Sequence, residues 1–137
     1  MIMVLFGPPG CGKGTQAGII AKDIEMPHLS TGDMLRDAVK SKTETGLKAA
    51  SIMEEGKLVS DEIVINIIKD RICNSDCKNG FILDGFPRTV SQAKELDVML
   101  TTENMKVDLV VDFSVNDEAL ISRIEGRFSC GDCGEGY

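Results

Sequence analysis

Aromatic and basic side chains are scarce in this sequence. It contains no tryptophan, one tyrosine and five phenylalanines, and its 15 lysines and arginines are outnumbered by 22 acidic residues, which gives a net charge of −7. No basic stripe is present, which argues against a nucleic-acid partner but leaves nucleotides open, since a few well-placed cations suffice for those. The apolar runs are all short, so we expect no membrane span and no signal peptide.

Length and cysteine usage favour a cytoplasmic enzyme. With 137 residues, of which 42% are hydrophobic, the chain can bury one sizeable core, and we expect a single globular domain with at most small inserts. The sequence also contains five cysteines. In a chain of intracellular character we expect them to be thiols or metal ligands rather than disulfides.

A glycine-rich loop follows the first apolar segment. The segment Gly7–Thr15 reads GPPGCGKGT and has the G-x-x-x-x-G-K spacing of a phosphate-binding loop. Its glycines let backbone N–H groups approach an anion, the next helix directs its positive end there, and Lys13 adds a full charge. Gly14 stands where most such loops have Ser or Thr, and the hydroxyl comes one place later, at Thr15. The alternative is an ordinary glycine-rich turn with a solvated lysine.

The remaining pattern predicts an α/β fold with a parallel sheet flanked by helices, because short apolar runs alternate with helical stretches. The predicted strands are Ile2–Phe6, Pro27–Leu29, Phe81–Asp84 and Asp108–Phe113, and the predicted helices are Thr15–Asp23, Asp61–Ile72, Thr89–Leu100 and Asn116–Glu125. Residues 1–29 and 60–125 are expected to form the core. Residues 30–59 are interpreted as a helical insert broken at Gly46 and Gly56, and His28 as structural. From 126 to 137 the chain is rich in glycine and cysteine and is expected to be truncated.

Four motifs in order identify a family. They are the glycine-rich loop, LSTGDMLR at 29–36, DGFPRTVSQ at 84–92, and Arg123-x-x-x-Arg127 followed by Cys130-x-x-Cys133. With these motifs the sequence resembles adenylate kinase of the bacterial type whose mobile lid can hold zinc, nearly continuously from 1 to 137. The resemblance implies a P-loop nucleoside monophosphate kinase with an AMP-binding insert at 30–59 and the start of a lid at 126–137.

The resemblance also implies the residues that bind ATP. They are Gly10, Cys11, Gly12, Lys13, Gly14, Thr15, Arg123, Arg127, Gly136 and Tyr137. Those expected to act in catalysis are Lys13, Asp84, Arg88, Arg123 and Arg127. Arg123 and Arg127 share one helix face, so the alternative is a basic helix end stabilised by the helix dipole.

A second set is implied for AMP. It comprises Thr31, Arg36, Lys57, Leu58, Val59, Gly85, Phe86, Pro87, Arg88 and Gln92. Arg36 and Arg88 each follow the carboxyl end of a predicted strand, where open α/β sheets bind ligands, although both could be solvated surface residues. The resemblance assigns Gln92 to the adenine edge, but Thr89 and Gln92 also form a T-x-x-Q capping box, and Thr31 could be only a helix cap.

Two kinds of metal site are predicted. Asp84 ends the third strand and is expected, with Asp33, to orient Mg²⁺ bound with ATP through water, although Asp33 also fits a helix start led by Ser30. Cys130 and Cys133 have the spacing of half a tetrahedral site, which would hold structural Zn²⁺ in the complete protein. A redox pair or two idle thiols would give the same C-x-x-C pattern.

The resemblance implies reversible phosphoryl transfer from MgATP to AMP, giving two ADP. The expected partners are these small-molecule nucleotides, and the enzyme is expected to be a cytoplasmic monomer. The family uses two further arginines that this sequence does not contain, so the chain as given is expected to lack full activity.

A UMP/CMP-type kinase is one alternative, although it would typically carry Ala at position 31 and Asn at 92. A non-catalytic nucleotide-binding module is the other.

Overall fold

The computed structural model describes residues 1–54 and 59–126, and within them four parallel strands form one sheet. The strands are β1 (Ile2–Phe6), β2 (His28–Ser30), β3 (Phe81–Asp84) and β4 (Leu109–Asp112), in the order β2-β3-β1-β4. The helices are α1 (Lys13–Asp23), α2 (Thr31–Lys40), α3 (Glu44–Glu54), α4 (Asp61–Ile72), α5 (Val90–Thr102) and α6 (Asp117–Glu125), with a short 3-10 turn at Ser75–Cys77. The predicted α/β fold with a parallel sheet is confirmed.

The sheet has a hydrophobic core on each face, because successive side chains of a strand point to opposite sides. Ile2 and Val4 of β1 pack in the larger core with residues of α4 and α5. Met3 and Leu5 pack in the smaller core against α1, where Ala17 is fully buried. β1 is therefore apolar on both faces, as is typical of a central parallel strand.

The predicted helices and strands differ from the observed ones mainly at their ends. β2 lies one residue later than predicted, and α1 begins two residues earlier, at Lys13, because the last residues of the glycine-rich loop already belong to its first turn. Ser60 occupies the N-cap position of α4 but makes no side-chain cap hydrogen bond. Thr89 does cap α5, since its Oγ1 accepts from the Gln92 N–H at 3.1 Å. Among the described helices, none is both long and apolar enough to cross a membrane.

The helical character of residues 30–59 agrees with the prediction as far as Glu54, but the predicted break at Gly46 is wrong. Gly46 lies inside α3 and is buried where α3 packs on α2. A Cβ at this position would lie 1.9 Å from the carbonyl oxygen of Ala38. The glycine therefore permits close helix packing rather than ending a helix. The other predicted break, at Gly56, lies outside the described residues.

We predict that Gly46→Ala destabilises the protein by about 1–3 kcal/mol, because the added methyl group would force α2 and α3 apart. Gly18→Ala in α1 is the matched control, since a Cβ there meets no atom within 4 Å. That control should gain up to about 1 kcal/mol from the higher helix propensity of alanine. Urea unfolding of both variants measures the difference, and equal stabilities would show that the α2–α3 contact is not tight.

Candidate active site

A large cleft of about 1130 Å³ lies at the carboxyl ends of the strands. The sheet register brings these ends together, because Leu5 pairs with Asp84 and Ser30 also pairs with Asp84. The residues that follow β1, β2 and β3 therefore all line the cleft. Parallel α/β sheets bind their ligands at this edge.

The glycine-rich loop forms one wall of the cleft and leads into α1. Gly12 is the N-cap of α1 and has a φ of 95°, a left-handed conformation that a side chain would strain. The first helical residues are Lys13, Gly14 and Thr15, so their backbone N–H groups lack partners within the helix, as at any helix start. This wall is suited to an anion, because the helix dipole adds a positive potential at the same point.

Lys13 lies in the cleft with its ammonium held by the loop itself. Its Nζ donates to the carbonyl oxygens of Gly7 at 2.8 Å and Pro8 at 2.9 Å, and it lies 3.7 Å from the sulfur of Cys11. Cys11 is buried in the loop. The charge of Lys13 is thus fixed at the loop before any ligand enters.

Three arginines add positive charge to the cleft of an otherwise acidic chain. Arg36, Arg88 and Arg123 all line it, and they come from α2, from the loop after β3 and from α6. Arg88 Nε donates to the carbonyl oxygen of Gly85 at 2.7 Å. α6 reaches the glycine-rich loop, since a Cβ at Gly10 would lie 3.1 Å from Ile124 Cγ1. Guanidinium groups converging from separate elements suit the binding of phosphate.

Arg36 is paired with a carboxylate at the entrance of α2. Its Nη2 donates to Asp33 Oδ1, and both side chains are more than half exposed. Burial raises the pKa of Asp33, but the hydrogen bonds from Arg36 and Ser30 and the charge of Arg36 outweigh it, so the pKa lies below its ordinary value. Asp33 therefore pairs with Arg36 in addition to lying in the first turn of the helix. The Ser30 cap is also present, with the Asp33 N–H 3.4 Å from Ser30 Oγ.

Asp84 faces the glycine-rich loop from the end of β3. A Cβ at Gly14 would lie 3.5 Å from Asp84 Oδ2, and the same oxygen lies 3.3 Å from His28 Nε2. The interpretation of His28 as merely structural missed this contact and its position in the cleft lining. The signal that could have revealed it is the parallel register, which sets His28 two residues before Ser30, the partner of Asp84, and so on the same face of β2 as Ser30.

Gln92 lies beside the cleft rather than in its lining, and its amide is bonded at both ends. Its Oε1 accepts from the Arg88 N–H at 2.6 Å, and its Nε2 donates to Asp61 Oδ1 at 2.5 Å. The predicted capping box is therefore present in altered form, because the amide oxygen bonds the backbone one residue before the N-cap. Thr31 is also buried and lies within hydrogen-bond distance of the Gly85 carbonyl oxygen, at 3.3 Å.

The predicted site residues divide into three groups. The cleft lining includes Gly10, Gly12, Lys13, Gly14, Thr15, Thr31, Asp33, Arg36, Asp84, Gly85, Pro87, Arg88 and Arg123. Outside the lining, Cys11, Phe86 and Gln92 are buried and Val59 is half-buried, and any nucleotide contact of Phe86 would come from its backbone. Lys57, Leu58, Arg127, Cys130, Cys133, Gly136 and Tyr137 lie outside the described residues.

The chemistry of the cleft fits a magnesium ion bound with a nucleotide. Asp84 and Asp33 supply carboxylate oxygens and Thr15 a hydroxyl, which are hard ligands of the kind that Mg²⁺ prefers. Within residues 1–54 and 59–126 there is no cluster of three or more His, Cys, Asp and Glu that could hold a metal by itself. Magnesium needs no such cluster, because it usually keeps waters and takes phosphate oxygens from its substrate.

Comparison with known proteins gives the same family throughout. The adenylate kinase family model matches residues 5–135. The chain belongs to the adenylate kinase family. The adenylate kinase of Magnetococcus marinus is 56% identical over all 137 residues, which cover 64% of that protein. Those of Allorhizobium ampelinum and Caldicellulosiruptor bescii are 53% and 51% identical, with 63% and 64% of their lengths covered.

The fold that forms the cleft agrees with membership of the adenylate kinase family. The chain spans about 64% of the length of the curated relatives it matches. The predicted resemblance to adenylate kinase and the P-loop kinase fold are both confirmed by these matches and by the parallel sheet. The individual roles of the site residues remain predictions.

We predict that Arg36→Ala raises the pKa of Asp33, because burial remains while the hydrogen bond and charge that lower the pKa are lost. Since the folded-state pKa is lowered, the pair stabilises the fold above the ordinary carboxyl pKa, and this contribution disappears as the pH falls through the lowered value. A ¹³C NMR titration of the Asp33 carboxyl measures the shift.

The matched control for this titration is Lys48→Ala, which removes another exposed acid–base pair from the same helical segment. Lys48 Nζ lies 2.9 Å from Glu44 Oε1 and lowers the pKa of that carboxyl. The control should move the titration of Glu44 and leave that of Asp33 unchanged. If Arg36→Ala left the Asp33 midpoint in place, the pair would not exist in solution.

Proposed function

We propose that the whole protein catalyses reversible phosphoryl transfer from MgATP to AMP, giving two ADP. The observation that carries this proposal is the convergence of the Lys13 loop and of arginines from three other chain segments on one cleft. Family membership and three relatives that are themselves named adenylate kinases support the same reaction. The nucleotides ATP, AMP and ADP are its proposed small-molecule partners.

The donor nucleotide is assigned to the glycine-rich loop. Residues 10–15 would cradle the phosphates of ATP with backbone N–H groups, and Lys13 would exchange a loop carbonyl for a phosphate oxygen. Arg123 lines the cleft from α6, which reaches the glycine-rich loop, and would approach the same nucleotide. Arg127, Gly136 and Tyr137 complete the proposed ATP set, and they lie outside the described residues.

The acceptor nucleotide is assigned to the side of the cleft opposite the donor nucleotide. Arg36 and Arg88 would hold the phosphate of AMP, and Thr31, Val59 and Gln92 would surround its base together with Lys57 and Leu58. The two phosphate sites then share one cleft, so that the reacting groups are brought together by positioning alone and no covalent intermediate is needed. Lys13, Arg88, Arg123 and Arg127 would stabilise the charge of the transferred group.

Asp84 and Asp33 would hold magnesium, most simply through bound water, and the ion would neutralise phosphate charge when bound with ATP. The position of Asp84 beside Gly14 supports this assignment. The protein's own contribution is to keep the carboxylate turned toward the phosphate loop, where His28 contacts it.

Adenine is favoured over a pyrimidine as the acceptor base. A UMP/CMP-type kinase would typically carry Ala and Asn where this chain has Thr31 and Gln92, and three relatives compared above are adenylate kinases.

We also propose that the enzyme works as a cytoplasmic monomer, without a nucleic-acid or membrane partner. The net charge of −7 supports the proposed absence of a nucleic-acid partner.

Lys13→Ala tests the proposed function. In the full-length protein the change should cost about 2–4 kcal/mol of transition-state stabilisation, or roughly 30- to 1000-fold in kcat, because one cation that contacts the transferred group is lost. Coupled assays of ADP formation from MgATP and AMP measure this loss.

Lys22→Ala is the control, since Lys22 is an exposed lysine in the last turn of the same helix. It should retain full turnover. Near-normal kcat in Lys13→Ala would refute the phosphate-loop assignment, and nucleotide binding without any ADP formation by the unmodified protein would favour a non-catalytic module.

We further propose that Cys130 and Cys133 are two of the four ligands of a structural Zn²⁺ in the complete protein. The C-x-x-C spacing and the flanking glycines support it. The full-length protein should contain about one zinc per chain, and chelation should lower its melting temperature because ligand binding stabilises the folded state. Elemental analysis with thermal melting is the measurement.

Cys130→Ser should abolish the zinc content, whereas Cys73→Ser, at an exposed cysteine near the end of α4, should leave it unchanged. A zinc-free protein whose melting temperature does not respond to chelator would mean that these two cysteines are idle thiols.

A further inference from the structure

The amide of Gln92 is buried and fixed in one orientation. The residue is 6% exposed, its Oε1 accepts from the Arg88 N–H at 2.6 Å, and its Nε2 donates to Asp61 Oδ1 at 2.5 Å. A backbone N–H can only donate and an ionised carboxylate can only accept. Turning the amide over would set its oxygen against the carboxylate and its NH₂ group against the N–H of Arg88. Both contacts would then be repulsive, so the two partners act together to select one orientation.

Two bonding positions of the amide remain after these contacts are made. A primary amide has two hydrogens on nitrogen and two lone pairs on oxygen, and one of each is used here. The amide can therefore still donate one hydrogen bond through Nε2 and accept one through Oε1. The order of donor and acceptor along its edge is set by Asp61 on one side and by Arg88 on the other.

We propose that Asp61 is a specificity-determining positioning residue, which holds the Gln92 amide in the orientation that accepts a 6-aminopurine nucleotide and disfavours a 6-oxopurine. This inference rests on the proposed assignment of Gln92 to the base of AMP. Adenine offers an acceptor at N1 and a donor at its 6-amino group. Nε2 would donate to N1 and Oε1 would accept from the amino group.

A 6-oxopurine such as hypoxanthine reverses that order. Its N1 carries a hydrogen and its 6-oxygen accepts, so pairing with Gln92 would require the amide to turn over. The turned amide would lose the bonds to Asp61 and Arg88 and set the buried Gln92 amide against like groups on both partners, which is the kind of mismatch that discriminates between substrates. Asp61 would thus select the base without touching it.

The geometry also connects this amide to the acceptor phosphate. Arg88 donates through its backbone to Gln92 and through Nε to the Gly85 carbonyl oxygen, at 2.7 Å. Thr31 Oγ1 lies 3.3 Å from that same carbonyl oxygen. The chain of contacts runs from Asp61 at the start of α4 through Gln92 and Arg88 to Thr31 at the start of α2. The amide is therefore held by the same loop that carries a proposed phosphate ligand.

The test compares AMP with inosine monophosphate, which differs from AMP at the purine 6-position and in the hydrogen on N1. Asp61→Asn in the full-length protein keeps the size of the side chain. The asparagine amide can donate as well as accept, so the side chain at position 61 no longer selects an orientation of the Gln92 amide. We expect the ratio of kcat/KM for AMP to kcat/KM for inosine monophosphate to fall about tenfold. Asp61→Ala should lower the ratio in the same direction. Because both substrates are assayed on one preparation, the ratio does not depend on the fraction of folded enzyme.

Asp70→Asn is the matched control, because it removes the same charge from an exposed position on the same helix. It should leave the ratio unchanged. In a Gln92→Ala background, adding Asp61→Asn should have no further effect on the ratio, since Asp61 is proposed to act only through that amide.

An unchanged ratio in both Asp61 variants would overturn the inference, even if kcat/KM for both nucleotides fell equally, since an equal fall is the mark of a merely structural role. An additive effect of Asp61→Asn in the Gln92→Ala background would also overturn it. Failure of the unmodified full-length protein to phosphorylate AMP would instead refute the proposed function, so the two failures are distinguishable.

Discussion

The parallel pairing of β1 with β3 is the contact on which the cleft depends. It sets Leu5 opposite Asp84, so that the loop after β1 and the loop after β3 leave the sheet side by side. The apolar side chains of β1 hold the strand beside β3, because they pack into a core on each face of the sheet. The phosphate loop, the Asp84 carboxylate and Arg88 are then neighbours as a consequence of strand register, although 71 positions separate Lys13 from Asp84 in the sequence.

Three of the cations that line the cleft are bonded within the protein. Lys13 donates to two loop carbonyls, Arg36 to Asp33, and Arg88 to the Gly85 carbonyl oxygen. A phosphate group therefore has to exchange with these acceptors or share their donors, and the affinity is a difference between two sets of hydrogen bonds. The internal bonds also keep the charged groups in place before the ligand arrives, which reduces the cost of ordering them.

Sequence reasoning found the sheet, the loop and most of the cleft lining, because these features are local. Strand hydrophobicity, the glycine spacing and the arginines after strand ends can each be identified within about ten residues. It failed where the contacts of a residue depend on partners that are distant in the sequence. Gly46 looked like a helix break because its packing against Ala38 cannot be seen in its own segment, and the contact of His28 with Asp84 was missed because Asp84 belongs to another strand. The orientation of the Gln92 amide likewise depends on Asp61, which is 31 positions away.

One short segment carries the residues proposed to recognise the metal, the phosphate and the base, and its backbone fixes their spacing. Asp84 ends a buried strand, Arg88 lies in the turn that follows, and Gln92 is in the first turn of α5. The strand end fixes the carboxylate, and the cap formed by Thr89 fixes the start of the helix, so the turn between them has little freedom. The Gly85 carbonyl accepts from the Arg88 side chain, and the Gln92 amide accepts from the Arg88 backbone. A displacement of Arg88 would therefore disturb both the proposed phosphate site and the Gln92 amide that is proposed to pair with the base, which would couple the two halves of acceptor recognition through a single residue.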